Sequence, residues 1–451
     1  MADRVPSARV GLGLAGASIS RIGSAITARE LNAALAGTVV NPLFALSVNN
    51  NYRSRRVGDS AVVALPAGPI AGVTAEVLDE TDEAVAGERA VLRAQLRAAL
   101  RLASAAGLLD GVLASPADSF PPGRTAVWDT LDEVVAAVFG WQVVLARRSV
   151  GAVPIEEVVA RRLYRDGPMV PVAGVLGHLL PAPLPPSAHV LESDEDYFVW
   201  LADWLRAAVA GSANPTGRTQ MATLQADAAV RHVLRLVQLG SMGLDAALML
   251  AGVDPPVDPE ARRQVLSGLC KGVTEALLPD ALSRDFTRRF FSANDRRRVA
   301  RLSRQVQAGV LDTLRSTLWL HPRARREMMR KMAAARTYAG GPRLPDAYAD
   351  VVIPRGLSNS TYAEGLVSVG GANRRRLWAA LYHPAAADAW GNPNFPTLAF
   401  QANAAYTPLR NALYVNAAMI GWPVFPTSPA LAGALPTAIE YGALGSLIGH
   451  E

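Results

Sequence analysis

The feature that most restricts the fold of this chain is a long helical pattern at residues 80–107, ETDEAVAGERAVLRAQLRAALRLASAAG. It begins with acidic residues, carries arginines in its later half and ends at Gly107, in agreement with the helix dipole and with helix capping. Half of the residues in the chain are hydrophobic, whereas only 6% are aromatic. Because alanine and leucine dominate the hydrophobic half, this balance favours helices over a β-sandwich. We therefore expect a mainly α fold.

Helical patterns recur along most of the chain. Residues 194–211 begin with acidic side chains, and Tyr197, Trp200 and Trp204 recur at steps of three and four residues. This spacing predicts a core stripe rather than a platform for stacking. Further helices are expected at 128–146, 155–166, 216–240, 259–278, 294–319 and 322–337.

Changes of composition divide the chain into three predicted regions. Residues 1–60 mix glycine, serine and asparagine with short apolar runs, and predict a variable N-terminal arm that is either loosely structured or a small packing element. Residues 61–395 hold most of the helical patterns and predict a helical domain, broken by a proline-rich segment at 181–189. Residues 396–451 make up the third region.

The charge and cysteine content restrict the partners and the compartment. The formal net charge is +6, and Lys271 and Lys331 are the only lysines among the basic residues. Proteins that bind phosphate often use arginine rather than lysine, but codon bias in a GC-rich genome produces the same preference for arginine. Because the arginines are interleaved with acids, nucleic acid is not a predicted partner. Cys270 is the only cysteine, which excludes an intramolecular disulfide and fits a reducing compartment.

No sequence pattern predicts a membrane span or a signal peptide. No apolar run reaches the about 18–20 residues that a spanning helix needs. Residues 10–20 come nearest to a signal sequence, but they are rich in glycine, are followed at once by Arg21 and lack a small-residue cleavage site. The compartment therefore stays unassigned.

Five histidines stand alone in the sequence, without an acidic or histidine neighbour at the spacing of metal ligands on a helix. They are His178, His189, His232, His321 and His383. The pattern around His232 predicts a core histidine, and that around His321 predicts the start of a helix. None of the five is a predicted metal ligand.

Four ordered segments carry the functional signal: 270–299, 316–342, 401–425 and 440–451. Their motifs include Trp319 and Lys331 in the second segment, Gly340 and Pro342 in the turn after it, Asn403, Ala404, Tyr406 and Asn411 in the third, and Tyr441, Gly442, Gly445, Gly449, His450 and Glu451 in the last. In order and spacing, these motifs resemble the neprilysin and endothelin-converting-enzyme family of zinc metallopeptidases. The resemblance covers about 190 residues well. It implies a neprilysin-like helical lobe at 61–395, followed at 396–451 by the start of a catalytic domain, with a short β-strand element at about 399–416 and the beginning of the zinc-motif helix.

The resemblance also implies a role for each matching residue. His450 corresponds to a zinc ligand, Glu451 to the general base, and Asn403, Ala404 and Tyr406 to the edge that holds a peptide substrate. The implied cofactor is zinc, and the implied partner is a peptide.

The zinc motif of this family needs a second histidine four residues after the first, and this sequence ends at Glu451. The second histidine, the carboxylate ligand and the groups that stabilise the oxyanion have no counterpart. We therefore expect an incomplete site that is inactive in the 451-residue chain, with a complementing C-terminal polypeptide as a possible partner. The alternative is a non-catalytic binding or structural protein, such as a subunit of a virus or large complex, and two departures from the motifs favour it: Ala405 replaces a tyrosine, and Asn416-Ala417 replaces Pro-Ala.

Three glycines, Gly442, Gly445 and Gly449, recur on the predicted last helix. Each costs about 1 kcal/mol relative to alanine in a helix interior, so such a run suggests that something packs closely against it. A substrate strand at a zinc site and an ordinary crossing of two helices both satisfy this requirement.

Overall fold

The computed structural model describes residues 16–25, 28–36, 41–50, 60–70, 77–78, 81, 83–114, 126–149, 171–180, 182–183, 190–192, 194–212, 214–238, 256–341, 348, 351, 359–382, 398–407, 411–421, 424–425 and 437–451. The chain divides into two compact units. The first comprises Met1–Ser47, Ala61–Val273 and Val352–Gly371, and the second comprises Val48–Ser60, Thr274–Val351 and Ala372–Glu451. The domain limits that the sequence suggested, at residues 60 and 395, stay predictions.

The described part of the chain is mostly helical, which confirms the expected fold class. Up to residue 277 the elements are α1 (Gly16–Ser24), α2 (Ala28–Ala36), β1 (Phe44–Asn50), β2 (Ser60–Pro66), a 3-10 turn (Glu83–Val85), α3 (Ala86–Ala105), α4 (Leu131–Ser149), α5 (Pro171–Leu179), β3 (Val190–Glu192), α6 (Glu195–Ala210), α7 (Pro215–Gln238) and α8 (Pro259–Leu277). The expected helix at 155–166 lies outside the described residues. The three short strands form one sheet in the order β1-β2-β3.

Capping interactions explain where several of these helices begin. The carboxylate of Asp194 accepts a hydrogen bond from the Tyr197 N–H at 3.0 Å and so caps α6. Before α4, the Glu133 carboxylate accepts hydrogen bonds from the N–H groups of Asp129 and Thr130, and the Thr130 hydroxyl accepts one from the Glu133 N–H. These bonds satisfy N–H groups that a helix start leaves without partners.

The aromatic stripe on α6 lies in the core, as its spacing predicts. Tyr197 is 1% exposed, and its hydroxyl donates a hydrogen bond to the Leu43 carbonyl at 2.5 Å. Trp200 and Trp204 both pack on Trp141 of α4, with ring centroids 6.1 and 4.8 Å apart. The stripe therefore joins α6 to α4 and to the chain before β1.

A buried polar network lies in the same unit. Asp227 of α7 is fully buried, and its carboxylate accepts hydrogen bonds from Gln142 at 2.6 Å and from Arg231 at 2.9 Å. Gln142 in turn accepts one from the Ile70 N–H, and Arg231 donates to the Gly68 carbonyl. Burial raises the pKa of Asp227, whereas the charge of Arg231 opposes the shift.

Helices α1 and α2 pack into the core of the first unit. Ile19 and Ile22 of α1 and Leu31 and Leu35 of α2 are buried, and α1 packs against α7. His232 is also buried, as its pattern predicts. The apolar side chains recur at three- and four-residue steps, but the interspersed polar and glycine residues hide this period in the sequence.

From residue 279 onward the elements are α9 (Pro279–Phe290), α10 (Ala293–Ser316), α11 (Pro322–Ala334), β4 (Arg336–Gly340), α12 (Asn359–Tyr382), β5 (Ala404–Thr407), β6 (Ala412–Asn416), a 3-10 turn (Ala417–Met419), α13 (Thr437–Glu440), a π-helical turn (Tyr441–Gly445) and α14 (Ser446–His450). The two strands at 404–416 confirm the predicted β element. His321 caps α11, as its position predicts, by accepting a hydrogen bond from the Arg323 N–H at 3.3 Å.

The helix predicted at 322–337 is wrong at its end, because residues from Arg336 onward form strand β4 instead. Helix α11 ends at Ala334, and the Arg336 N–H donates to the Asn411 carbonyl at 3.0 Å. Tyr338 then stacks on Tyr414 of β6 with ring centroids 5.1 Å apart. Contacts with residues some 75 positions later thus override the local helical preference.

The second sheet has the order β4-β6-β5. Strand β4 pairs with β6 in parallel, and β5 pairs with β6 in antiparallel orientation, with Ala404 opposite Val415 and Tyr406 opposite Leu413. Strand β5 is therefore an edge strand of the sheet as described, and its outer side is available to another group.

A hydrophobic cluster supports this sheet. Its buried members are Phe291, Val299, Leu302, Ala339, Ala399, Leu413, Val415, Ala417, Ile420, Phe425, Leu444 and Ile448. The turn after β4 fits tightly against it, because Gly340 has φ +96° and a Cβ there would lie 2.2 Å from the Phe291 ring. The predicted turn at Gly340 is thus confirmed, whereas Pro342 lies outside the described residues.

In the residues that the structure describes, no helix combines the length and the apolarity that crossing a membrane requires.

Candidate functional site

The last helical segment, residues 437–450, carries His450 at its end. Leu444 and Ile448 are buried in the hydrophobic cluster together with Val299 and Leu302 of α10. These two side chains fix one face of the segment against α10, whereas His450 and Glu451 at its end are both exposed. The chemistry-bearing residues therefore lie at the surface on a well-anchored helix.

Arg298 of α10 holds the start of this segment. Its guanidinium forms an ion pair with Glu440, lies 3.7 Å from the Asp295 carboxylate and sits 4.4 Å from the centre of the Phe425 ring. The side chains of Arg298 and Glu440 are 16% and 20% exposed, so water screens their charges only partly. Arg298 is thus a positioning residue for the helix that bears His450.

The outer edge of β5 meets the end of the same helix. The Tyr406 N–H donates a hydrogen bond to the Glu451 carboxylate at 3.3 Å. On the other side of the strand, the Asn403 carbonyl accepts a hydrogen bond from the Asn416 N–H at 3.3 Å. Because backbone groups alternate in direction along a strand, Ala404 presents its N–H and C=O to the same outer side as Tyr406.

Three side chains keep this edge in place. The Tyr406 hydroxyl donates to the Asn411 side-chain oxygen at 2.8 Å, and the Asn411 amide donates to the Lys331 carbonyl at 2.7 Å. The Lys331 ammonium lies 5.5 Å from the centre of the Tyr406 ring. Asn411 has φ +46°, a value that asparagine tolerates better than most residues, and so it forms the turn between β5 and β6.

The described residues do not fit a catalytic zinc centre by themselves. Such a centre needs three protein ligands, usually two histidines and a carboxylate or their equivalents. Within the described ranges, no group of three or more histidine, cysteine, aspartate or glutamate side chains is placed to hold a metal ion. His450 thus offers one possible ligand, and no chemical step through a metal is derived from this arrangement.

The glycines of the last segment do not mark a close approach by another described group. A Cβ at Gly445 would lie 3.5 Å from the Glu440 carbonyl oxygen and 3.6 Å from Leu302, which are ordinary contacts. At Gly449 the nearest atom is 3.9 Å away, and at Gly442 nothing lies within 4 Å. Close packing of the described chain therefore does not explain the three glycines.

The structure brings the predicted residues together only in part. Glu451 contacts the backbone of Tyr406, and Asn403 and Ala404 belong to the same chain segment. The roles of these residues and of His450 remain predictions. The role of Arg298 was not predicted, because nothing in the run Arg296-Arg297-Arg298 shows which arginine turns toward the last helix.

Comparisons with known proteins concern the sequence and the fold of the chain. No protein-family model matches the chain. The chain is 25% identical to Neprilysin-1 from Trittame loki over 204 residues, which make up 42% of this chain and 26% of that protein.

Among solved structures, the chain is similar to Mycobacterium tuberculosis zinc metalloprotease Zmp1 in its open state, with a TM-score of 0.63 and 16% identity over 99% of this chain. It is also similar to PepO from Lactobacillus rhamnosis, with a TM-score of 0.60, 16% identity and 99% coverage. The chain spans 64% and 65% of those two structures, respectively. At such identities the structural matches establish the fold alone.

The match to Neprilysin-1 shows similarity in sequence, and the two solved structures show similarity in fold. In sequence and in fold, this chain is neprilysin-like.

Proposed function

We propose that these 451 residues provide the peptide-binding edge and the His-Glu pair of a neprilysin-like metalloendopeptidase site. The observation that carries the proposal is the hydrogen bond between the Tyr406 N–H and the Glu451 carboxylate. In this hydrogen bond an exposed carboxylate lies beside a strand edge with which an extended peptide could pair. The names of the structural relatives, which include a zinc metalloprotease, support the same reaction class.

An extended peptide would add to β5 as a further strand. Its backbone would pair with the outward N–H and C=O groups of Ala404 and with the Tyr406 N–H. Because the Glu451 carboxylate now accepts the hydrogen bond from Tyr406, the peptide would take over that N–H and leave the carboxylate beside its own backbone. A carboxylate in that position is suited to accept a proton from an attacking water.

On this proposal the 451 residues by themselves bind peptides and do not hydrolyse them. His450 is one metal ligand, and at least two further ligands would come from residues outside those described, in the same polypeptide or in a separate one. The spans of 64% and 65% relative to the solved structures leave room for such a contribution.

A second candidate is a non-catalytic peptide-binding or structural protein that keeps the fold. The isolated position of His450 among the described residues favours it. Both candidates share the strand edge, and they differ in whether a complete zinc site forms.

Two measurements on the purified 451-residue protein test the proposal. Fluorescence anisotropy with a labelled extended peptide should show binding, and the same peptide with N-methyl groups at alternate residues should bind much more weakly because it cannot pair with an edge strand. If the two peptides bind equally well, or neither binds, the strand-edge site is refuted.

The second measurement has two parts: the zinc content of the purified protein, and its rate of peptide cleavage with and without a chelator. We expect no stoichiometric zinc and no chelator-sensitive cleavage. One tightly held zinc per chain together with cleavage that the chelator abolishes would show that the 451 residues form a complete site.

A further inference from the structure

The turn that joins α10 to α11 exposes two large apolar side chains. Leu318 and Trp319 follow one another between the two helices, and they are 88% and 84% exposed. Tryptophan is on average one of the more buried residues in folded proteins. An adjacent pair of exposed apolar side chains therefore calls for a reason other than the stability of the fold.

This turn lies at the end of the hairpin that is remote from the hydrophobic cluster. The buried residues of α10 end at Ser303, and α11 has no buried residue. From Ser303 to the end of α10 at Ser316 the helix rises by about 20 Å. We call residues 313–326 the hairpin tip.

Local hydrogen bonds stabilise the hairpin tip. The Arg325 guanidinium donates to the Thr317 carbonyl at 3.2 Å, and the Thr317 hydroxyl donates to the Thr313 carbonyl at 2.7 Å. Neither bond uses the side chain of Leu318 or Trp319. The apolar pair is thus presented on a braced turn, and its side chains are available to another surface.

The hairpin tip also carries positive charge that the chain does not neutralise. It contains four arginines and no acidic residue: Arg315, Arg323, Arg325 and Arg326. Arg315 pairs with Asp312, one residue before the tip. Among the residues that the structure describes, neither Arg323 nor Arg326 has an ion-pair partner. Two exposed guanidinium groups therefore lie close in sequence to the apolar pair without an anion of their own.

These charges are also placed against the preference of the helix that carries them. Arg323 and Arg325 lie in the first turn of α11, which holds no acidic residue. The N-terminal end of a helix has a partial positive charge, so cations there are unfavourable and acids are preferred. Departures from local preference of this kind are expected where a surface serves a function.

We propose that the hairpin tip binds the surface of an anionic phospholipid bilayer. Tryptophan is enriched at the level of the lipid headgroups, where its ring is covered and its N–H stays hydrated. Leu318 would reach the boundary of the acyl chains, and Arg323 and Arg326 would meet the anionic headgroups. This proposal is independent of the peptide-binding edge at β5.

The size of the apolar pair favours a bilayer over a protein partner. A specific protein interface takes about 800 Å² from each partner. A large aromatic side chain buries about 150–250 Å², so Leu318 and Trp319 together offer at most about half of that area. Contact with a bilayer needs no complementary shape, because a few apolar side chains and nearby cations suffice. Duplex nucleic acid offers phosphates to the arginines but leaves the apolar pair in water.

Sedimentation of the purified 451-residue protein with lipid vesicles tests the proposal. One vesicle preparation consists of phosphatidylcholine, and the other also contains phosphatidylserine. We expect binding to the second that is at least about tenfold tighter than binding to the first, because each arginine near an anionic surface strengthens the attraction. Raised salt should weaken this binding through screening.

One pair of variants tests the apolar part of the tip. Trp319→Ala should weaken binding to the phosphatidylserine vesicles at least about fivefold, because the buried area of the ring is lost. Phe290→Ala is the matched control, since Phe290 of α9 is another exposed aromatic residue, at 63%. It should change binding less than about twofold.

A second pair of variants tests the charge. The double variant Arg323→Ala/Arg326→Ala should bind at least about tenfold more weakly and lose most of the preference for phosphatidylserine. Arg297→Ala/Arg301→Ala removes two exposed arginines of α10 that lie about 20 Å or more from its end. Because this distance exceeds the screening length of about 10 Å, the control should change binding less than about twofold. Circular dichroism verifies that all variants stay folded.

Fluorescence locates the contact directly. The chain has eight tryptophans, so the contribution of Trp319 is the difference between the protein and its Trp319→Phe variant. Phospholipids with brominated acyl chains quench tryptophans that enter the bilayer interface. We expect this difference signal to be quenched by brominated vesicles that contain phosphatidylserine.

Several outcomes would overturn the proposal: absence of binding to the phosphatidylserine vesicles, equal binding to phosphatidylcholine alone, unchanged binding of Trp319→Ala, or an equal loss in Arg297→Ala/Arg301→Ala. Self-association without lipid that Trp319→Ala abolishes would instead identify the tip as an interface between copies of the chain. Displacement from the vesicles by single-stranded DNA at equal charge concentration would identify a nucleic-acid surface.

Discussion

Helices α7 and α11 differ sharply in how much of their side-chain surface is buried. Much of α7 is buried, including Met221, Leu224, Asp227 and Val233, whereas α11 has no buried residue. Since packing of one face supplies most of the stability of a helix in a protein, α7 is stabilised by a core and α11 by local bonds. In addition, the Gln307 amide of α10 donates a hydrogen bond to the Met332 carbonyl at 2.6 Å, which joins α11 to α10.

The same contrast appears within the second unit. The buried residues of α10, which are Asp295, Val299, Leu302 and Ser303, all lie in its first half. Leu318 and Trp319, which follow α10, are 88% and 84% exposed. The sheet and the last helical segment thus rest on one compact cluster, while the hairpin of α10 and α11 extends from it. Damage to the core of either unit should therefore cost far more stability than changes on this hairpin.

The largest effect is expected at the buried carboxylate of the first unit. Asp227→Ala leaves the partly buried Arg231 and the buried Gln142 without their acceptor, which should cost about 3–5 kcal/mol of unfolding free energy. Asp203→Ala removes a comparable bond to Arg206, at 2.9 Å but exposed, and should cost less than about 1 kcal/mol. Chemical denaturation of both variants measures the difference. Equal losses would contradict the contrast between core and surface.

A smaller but substantial loss is expected in the second unit. Leu444→Ala removes a fully buried side chain from the cluster under the last helical segment and should cost about 2–5 kcal/mol. Leu318→Ala, with the same change at an exposed position, should stay within about 0.5 kcal/mol. Thermal denaturation compares the two. A large loss for Leu318→Ala would show that the hairpin is covered in solution.

The smallest effect concerns the glycines before His450. Because nothing lies within 4 Å of a Cβ at Gly442, Gly442→Ala should raise the unfolding free energy by about 0.5–1 kcal/mol, through better helix propensity and lower entropy of the unfolded chain. Gly340→Ala is the control, since its φ of +96° and the contact with Phe291 predict a loss. Urea denaturation distinguishes them. Destabilisation by Gly442→Ala would imply an additional group that packs on this face.

The sequence predicted elements with strong local signals. Helices α6 and α8 begin and end within one residue of their predicted limits, because Asp194, Gly211 and Pro259 mark those limits. The strand at 404–407 and the helix before His450 followed from the resemblance, since residues of that family's motifs recur in order.

The remainder depends on contacts between distant parts of the chain. Strand β4 follows a helical pattern and becomes a strand through β6, more than 70 residues later. Asp227, in a helical run between alanines, looks like a solvent-facing residue until Gln142 and Arg231 are brought to it.

The π-helical turn at Tyr441–Gly445 determines the directions in which the side chains after it face. A π-turn holds one residue more than the corresponding turn of an α-helix, and each residue advances an α-helix by about 100°. If the same five residues were wound as α-helix instead, His450 and Glu451 would rotate by about that angle relative to the residues before the turn. The Glu451 carboxylate would then turn away from the Tyr406 N–H while every other side chain stayed the same. The direction in which His450 and Glu451 face therefore depends on the π-helical winding of this one turn.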